Sequence, residues 1–395
     1  MYFGLGKFLI GFVAFIVFVA IYFFTHRKDF KGKKIKTFFY WAIPLGFLSY
    51  FLIASQLTDF RYLRHNIQVV NSWILWLYVI YIVCGGLYFI GRLIDDFVSF
   101  IRKPIKRYLL AEYVSLAFIV VFMGFYIHGT FNTRSFEIRR DVVEIDDLPE
   151  AFDGTTIAVM SDTHLGTMYY KGRQKYYQSI KDSLDMVKPD MLCFVGDWVN
   201  NFLREGDPYR HIFVDMKANY VKYAVMGNHD FARYYKWKSP SQKDLMAEYI
   251  KTGYRFVGFN LLENNWSLIE KDSLNKIAII GIDETGDIDE VMADTPDSIV
   301  KIMLLHNPND WQREVKGKYN DVKLTLSGHT HAMQCYFEVF GKKISPAAWF
   351  FDYFDGLYEE GEQNLFVTRG LGSVGIPVRI GKKAEFSVLT LKCKK

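Results

Sequence analysis

The chain has 395 residues, 48 Lys and Arg against 43 Asp and Glu, and a formal charge of +5. That length exceeds one small domain, and the basic excess is too small and too localised to mark a groove that tracks nucleic-acid phosphates. Cys84, Cys193, Cys335 and Cys393 form no CxxC pair and keep no regular spacing, which argues against a zinc knuckle or a disulfide framework; they are expected to be free and mostly buried.

Four apolar segments open the chain, at about 3–24, 38–54, 69–90 and 108–127. Each is long enough to cross a bilayer as a helix, which needs about 20 mostly apolar residues. Residues 1–135 carry 15 Lys and Arg against 5 Asp and Glu, so the apolar third is basic and the remainder is acidic. The first interspan loop, "HRKDFKGKKIK", and the third, "RLIDDFVSFIRKPIKR", hold most of that charge, whereas the second, "QLTDFRYLRHN", holds two Arg. The positive-inside tendency then puts loops one and three in the cytoplasm and both termini on the outer face, although Arg134, Arg139 and Arg140 pull the other way. The first segment is longer than a signal-peptide core and lacks a small-residue cleavage site, so it reads as a retained anchor. The chain is thus expected to be a multi-pass membrane protein. No ladder of acidic or histidine residues lies in the spans to suggest an ion path.

Residues 131–153 read as a polar connector with a first strand, and 154–395 as one soluble domain. There, short apolar runs alternate with helical stretches: "TIAVMSDTH", "MLCFVGD", "VKYAVMGNHD", "KIAIIGID", "IVKIMLLHN" and "DVKLTLSGHTH" are strands, and "RQKYYQSIKDSLDMVK" is a helix. Nearly every strand ends in Asp, His or Asn. Ligands of α/β sheets sit beyond the carboxyl ends of strands, so these ends predict one shared polar site.

The chemistry-bearing residues are Asp162 and His164, Asp197, Asn228 with His229 and Asp230, His306, and His329 with His331. Asp162 and His164 are two apart and share a side of an extended segment, so they can bind one ion together. His329 and His331 can do the same, or serve two adjacent ions. Carboxylate, imidazole and amide oxygen together suit Mn²⁺, Fe or Zn²⁺ better than Ca²⁺ or Mg²⁺, and the ligands are too many for one ion.

In order, these blocks resemble the calcineurin-like metallophosphoesterase superfamily, whose pattern is DxH, GD, GNHD or GNHE, H, and GHxH. The resemblance spans about 170 residues and includes the membrane-anchored bacterial branch. It implies a four-layer α/β/β/α domain with two packed sheets, which here would follow the four predicted spans as a four-helix transmembrane domain. It further implies that Asp162, His164 and His331 hold one divalent metal, that Asn228, His306 and His329 hold the other, and that Asp197 bridges both. His229 would then assist the leaving group as a catalytic acid, oriented by Asp230. Where the family often shows GDxxD, this chain has Asn200 at the second acidic position. The implied activity is hydrolysis of a phosphodiester, phosphomonoester or pyrophosphate bond, with membrane-anchored members acting on lipid-linked substrates such as UDP-diacylglucosamine.

Other readings are weaker. The GxGxxG at Gly370, Gly372 and Gly375 leads into Pro377 and a strand-like stretch, so it reads as a glycine-rich loop near the site and not as a dinucleotide fingerprint. The aromatic run "SPAAWFFDYFDGLY" is a packed loop or a surface for acyl chains at the bilayer interface. A metal-binding sensor would not need His229, and a transporter would need charged groups within the spans.

Overall fold

The structure, a computed structural model, describes residues 32, 80, 83, 86–88, 90–101, 110–167, 172–297 and 299–394. The predicted spans 3–24 and 38–54 lie outside these residues, as does most of 69–90. Residues 90–101 are helical, where a loop was expected from 92. Leu93, Ile94, Phe97, Phe100 and Ile101 continue the helical apolar period, which explains the difference. Helix α1, Leu110–Asn132, covers the fourth predicted span from residue 110 and runs past its end. Its stretch Tyr113–Asn132, of mean hydropathy 1.9, is long and apolar enough to cross a membrane. The chain divides into two compact units, Met1–Tyr126 and Ile127–Lys395.

The second unit is built on two six-stranded sheets. Along the chain, β1 (Phe136–Ile145), β2 (Thr156–Met160), β3 (Met191–Val195), β4 (Val221–Val225) and β5 (Asn260–Leu261) lie in the first. β6 (Asn265–Glu270), β7 (Lys276–Ile282), β8 (Lys301–Leu305) and β9 (Val322–Ser327) lie in the second. A hairpin of β10 (Cys335–Val339) and β11 (Lys342–Ile344) follows. β12 (Gly356–Glu360) and β13 (Gln363–Val367) return to the second sheet, β14 (Ile380–Gly381) joins the hairpin, and β15 (Ala384–Cys393) enters the first sheet between β1 and β2. The segment read as a connector therefore holds an edge strand of the domain, paired in parallel with β15 from Phe136↔Ala384 to Ile145↔Cys393.

Period-two alternation sorts the strand side chains between layers. Ile157, Val159, Cys193 and Val195 face the other sheet and pack with Ile279, Ile302, Leu324 and Phe366. Ala158, Met160, Leu192 and Phe194 face outward, toward helices α2 (Arg173–Val187), α3 (Arg210–Asp215) and α4 (Pro240–Phe256). On the far side, Ile280, Ile282, Met303 and Leu305 pack with α5 (Ile288–Asp294) and Trp311. The result is helices, sheet, sheet, helices. Helix α2 forms because Tyr176, Tyr177, Ile180 and Leu184 make one apolar stripe; it stops where Lys188 turns left-handed ahead of Pro189.

Strands β2, β3 and β4 are mutually parallel, as are β7, β8, β9 and β13, so their carboxyl ends emerge along common edges. His306, at the end of β8, crosses between sheets and donates from Nδ1 to the carbonyl of Val195 on β3 (2.6 Å). The last turn of α1 is fastened to the same unit. Arg379 N–H donates to Gly129 O (3.0 Å), and the Asn132 amide donates to the carbonyls of Arg379 (3.1 Å) and Gly381 (2.9 Å).

Candidate metal centre

All nine candidate residues lie in the turns that follow β2, β3, β4, β8 and β9. Seven of them bring donor atoms together in two sets. In the first, His331 Nε2 lies 3.2 Å from Asp162 Oδ1 and 3.0 Å from His164 Nε2. In the second, His329 Nδ1 lies 2.9 Å from Asn228 Oδ1 and 3.3 Å from His306 Nε2. Asp197 Oδ2 stands between them, 3.5 Å from His164 Nε2 and 3.2 Å from His306 Nε2.

The convergence of Asp162 with His164 does not come from strand alternation. Both residues lie beyond β2 with left-handed backbones, at φ 54° and 40°. Asp197 (59°), His329 (67°) and His331 (49°) are left-handed as well. For residues with a Cβ this costs about 1–2 kcal/mol each, and such strain collects where geometry serves a site. The neighbouring glycines make room for it. A Cβ on Gly196, itself at φ 94°, would stand 2.6 Å from both Gly227 N and His306 Nδ1, and one on Gly227 would stand 2.3 Å from Asp197 Oδ1.

The donor set fits divalent metal. His164 Nδ1 faces the Asn200 amide oxygen at 3.0 Å, and His306 Nδ1 donates to a carbonyl, so each ring turns its Nε2 inward. This is how ligating histidines are held. Asp162 Oδ1 is buried and makes no hydrogen bond. Burial and neighbouring imidazoles lower the pKa of His164 and His329 to about 3, which keeps each ring neutral, with one nitrogen free of a proton. Burial opposes charge on His306, but the Asp197 carboxylate outweighs it and raises that pKa to about 10. Burial likewise opposes charge on Asp197, and the imidazoles of His306 and His229 hold it well below the usual carboxylate range. Lone pairs and carboxylates packed this closely in low dielectric call for positive charge between them. Asp162, His164 and His331, and Asp197, His306 and His329, are each grouped closely enough to hold an ion.

Asp230 departs from its expected role. Its carboxylate does not meet the His229 ring; it is fully buried and accepts from the N–H groups of Asp197 (2.8 Å), Trp198 (3.1 Å), Val199 (3.2 Å) and Gly227 (3.0 Å), and from the Tyr254 hydroxyl (2.9 Å). Asp230 thus organises the loop that carries Asp197. Burial and the Asp197 charge push its pKa up to about 7 despite those donors. The orienting partner of His229 is instead the backbone carbonyl of Asn200, which faces Nδ1 at 3.1 Å. The reason is steric: adjacent residues in the tight turn after β4 point their side chains apart.

Sequence reading also passed over residues that support the site. Asn200, seen there as a departure from a family pattern, accepts from His164, and its N–H donates to the carboxyl of the half-buried Glu205 (2.6 Å), whose pKa desolvation pushes up to about 7. Arg379 is buried and donates to the carbonyls of His331 (3.4 Å), Arg369 (3.1 Å) and Gly372 (2.8 Å). The glycine-rich loop it secures lies against Asp162, with Gly372 N–H donating to Asp162 O (2.8 Å). Asn200 and the glycine-rich loop left a mark in the sequence; Arg379 did not, because it acts on His331 from 48 residues away.

The calcineurin-like phosphoesterase family pattern matches residues 155–333, the stretch that contains both donor sets. The chain carries a calcineurin-like phosphoesterase domain. An uncharacterized metallophosphoesterase of Bacillus subtilis, YkuE, is 29% identical over 266 residues, covering 65% of this chain and 85% of its own length. An uncharacterized metallophosphoesterase of Campylobacter jejuni is 25% identical over 398 residues, covering 98% of this chain and 99% of its own. A Danio rerio protein described as a transmembrane protein with metallophosphoesterase domain is 26% identical over 265 residues, covering 63% of this chain and 56% of its own. The phosphoesterase domain is accordingly that of a metal-dependent phosphoester hydrolase.

Proposed function

We propose that this chain is a membrane-anchored phosphoesterase with two divalent metals, Mn²⁺, Fe or Zn²⁺, that cleaves a phosphodiester, phosphomonoester or pyrophosphate bond of a lipid-linked or cell-envelope substrate. The observation that carries the reading is the pair of donor sets sharing Asp197, with His229 beside them. Asp162, His164 and His331 would hold one ion and Asn228, His306 and His329 the other. Bound there, such ions supply hydroxide from water at neutral pH and offset the charge of phosphoryl oxygens.

The remaining roles belong to the chain's own groups. The neutral Asn228 oxygen keeps the second set less negative than a carboxylate would, which favours approach of an anionic phosphate. His229 presents its edge to His164, with ring centroids 4.6 Å apart. With Nδ1 against the Asn200 carbonyl, its Nε2 is the atom free to carry a proton to a departing oxygen. Burial lowers the His229 pKa while Asp197 and the Asn200 carbonyl work against it, so the acid form is the scarcer one near neutrality.

Two features support the membrane and lipid parts. The apolar stretch of α1 runs into the second unit, which begins at Ile127, and Asn132 at its end is hydrogen-bonded within that unit. The aromatic run divides by burial: Phe354 belongs to the core, Phe351 packs on His329 with centroids 5.8 Å apart, and Phe350 and Trp349 are 45% and 81% exposed. An apolar tail of a substrate held at the second set would meet this surface.

The test is hydrolysis of a chromogenic phosphodiester by the full chain in detergent, metal-stripped and then resupplied with Mn²⁺. Metal-dependent turnover is expected, lost in Asp197→Ala and in His229→Ala. A folded, metal-loaded protein without turnover on any soluble or lipid phosphoester would refute the reading.

A further inference from the structure

Helix α4 and strand β4 are joined by a loop whose Tyr234 touches two members of the site at once. The Asn228 Nδ2 donates to the Tyr234 hydroxyl at 2.7 Å, while the Asn228 oxygen points the other way, 2.9 Å from His329 Nδ1. The Tyr234 ring lies flat on the His229 imidazole, with centroids 4.1 Å apart and planes 22° apart. The loop itself is pinned, since Tyr234 N–H donates to the Asn201 side chain at 2.9 Å.

An amide ligand has two chemically opposite ends, and nothing in its own shape decides which end faces a cation. At Asn228 the choice falls to the partner of the nitrogen. A hydroxyl that accepts from Nδ2 leaves Oδ1 for the metal side; without it, a turn of the amide by half a revolution would present N–H donors to the ion. The imidazole of His229 has a similar freedom about its Nδ1 bond to the Asn200 carbonyl, because one hydrogen bond leaves a ring free to tilt around it. The stacked phenol removes that freedom.

From this we infer that Tyr234 is a positioning residue with two separable tasks: its hydroxyl sets the Asn228 amide for the second ion, and its ring sets the plane of His229. The inference rests on the two-metal reading above. Tyr234→Phe separates the tasks by keeping the ring and removing the hydroxyl, and Tyr234→Leu removes both. Groups that orient a metal ligand typically account for about 10–100-fold in affinity.

The experiment is Mn²⁺ binding to the metal-stripped full chain, followed by calorimetry and by metal content after desalting, with kcat on the chromogenic diester at saturating Mn²⁺ and a thermal melt as the folding control. Tyr234→Phe is expected to bind one ion like the parent and the second about 10–100-fold more weakly, with kcat recovered when Mn²⁺ saturates. Tyr234→Leu is expected to show the same binding defect and a kcat that added metal does not restore. Two ions bound by Tyr234→Phe at parental affinity overturn the hydroxyl's task, and equal kcat for the two variants at saturation overturns the ring's. A parent chain that binds fewer than two ions defeats the two-metal reading itself, which is a distinct outcome.

Discussion

The two donor sets are made of similar residues in different settings. Asp162, His164 and His331 are almost wholly enclosed, at 0%, 0% and 3% exposure, and the Asn200 amide and the glycine-rich loop close around them. The second set opens on one side: His329 is half-buried against Phe351, and Asn228 leans on the half-buried Tyr234. The first set therefore has its geometry imposed by packed backbone, and the second by side chains at a mouth.

Changes at the junction should erase the contrast. Asp197→Ala is expected to lose both ions and to bring turnover to background, checked by metal content and diester hydrolysis; retention of one ion would show that the sets are independent. His229→Ala should keep two ions and lose about 10²–10⁴-fold in kcat, the usual worth of a proton-transfer group. Asn200→Ala should sharpen the contrast by weakening the first ion about 10–100-fold in Mn²⁺ titration while sparing the second. An equal loss at both would mean that the enclosed set gains nothing from its support. The smallest effect is expected from Trp349→Ser with Phe350→Ser: KM for a lipid phosphoester rises, and hydrolysis of a soluble diester and metal content stay at parental values. Unchanged kinetics on both substrates would remove the aromatic surface from substrate binding.

Much of this was legible in the chain. The run "SDTH" after an apolar strand, the "GD", the "GNHD", the lone His306 and "GHTH" marked the ends of β2, β3, β4, β8 and β9, and these strands fall where the short apolar runs put them. Less could be read where partners are remote or strands are weakly patterned. β1 is an edge strand with mixed polarity, and its partner β15 lies 248 residues on, from Phe136 to Ala384. The orienting role of Asp230 was carried over from the family resemblance, whereas the tight turn sends its side chain away from His229 and into the backbone of the Asp197 loop.

Residue chemistry alone determined that this chain gathers carboxylates, imidazoles and an amide on strand ends, because strand alternation and the chemistry of ligand atoms are local properties. Only the tertiary structure decided which atoms face each other. Five of the seven donors sit on left-handed backbone, which is uncommon for any residue with a Cβ even though Asp and His adopt it more readily than most. Two packed sheets hold them there, since Asp230 and Arg379 satisfy the surrounding backbone from residues far along the chain.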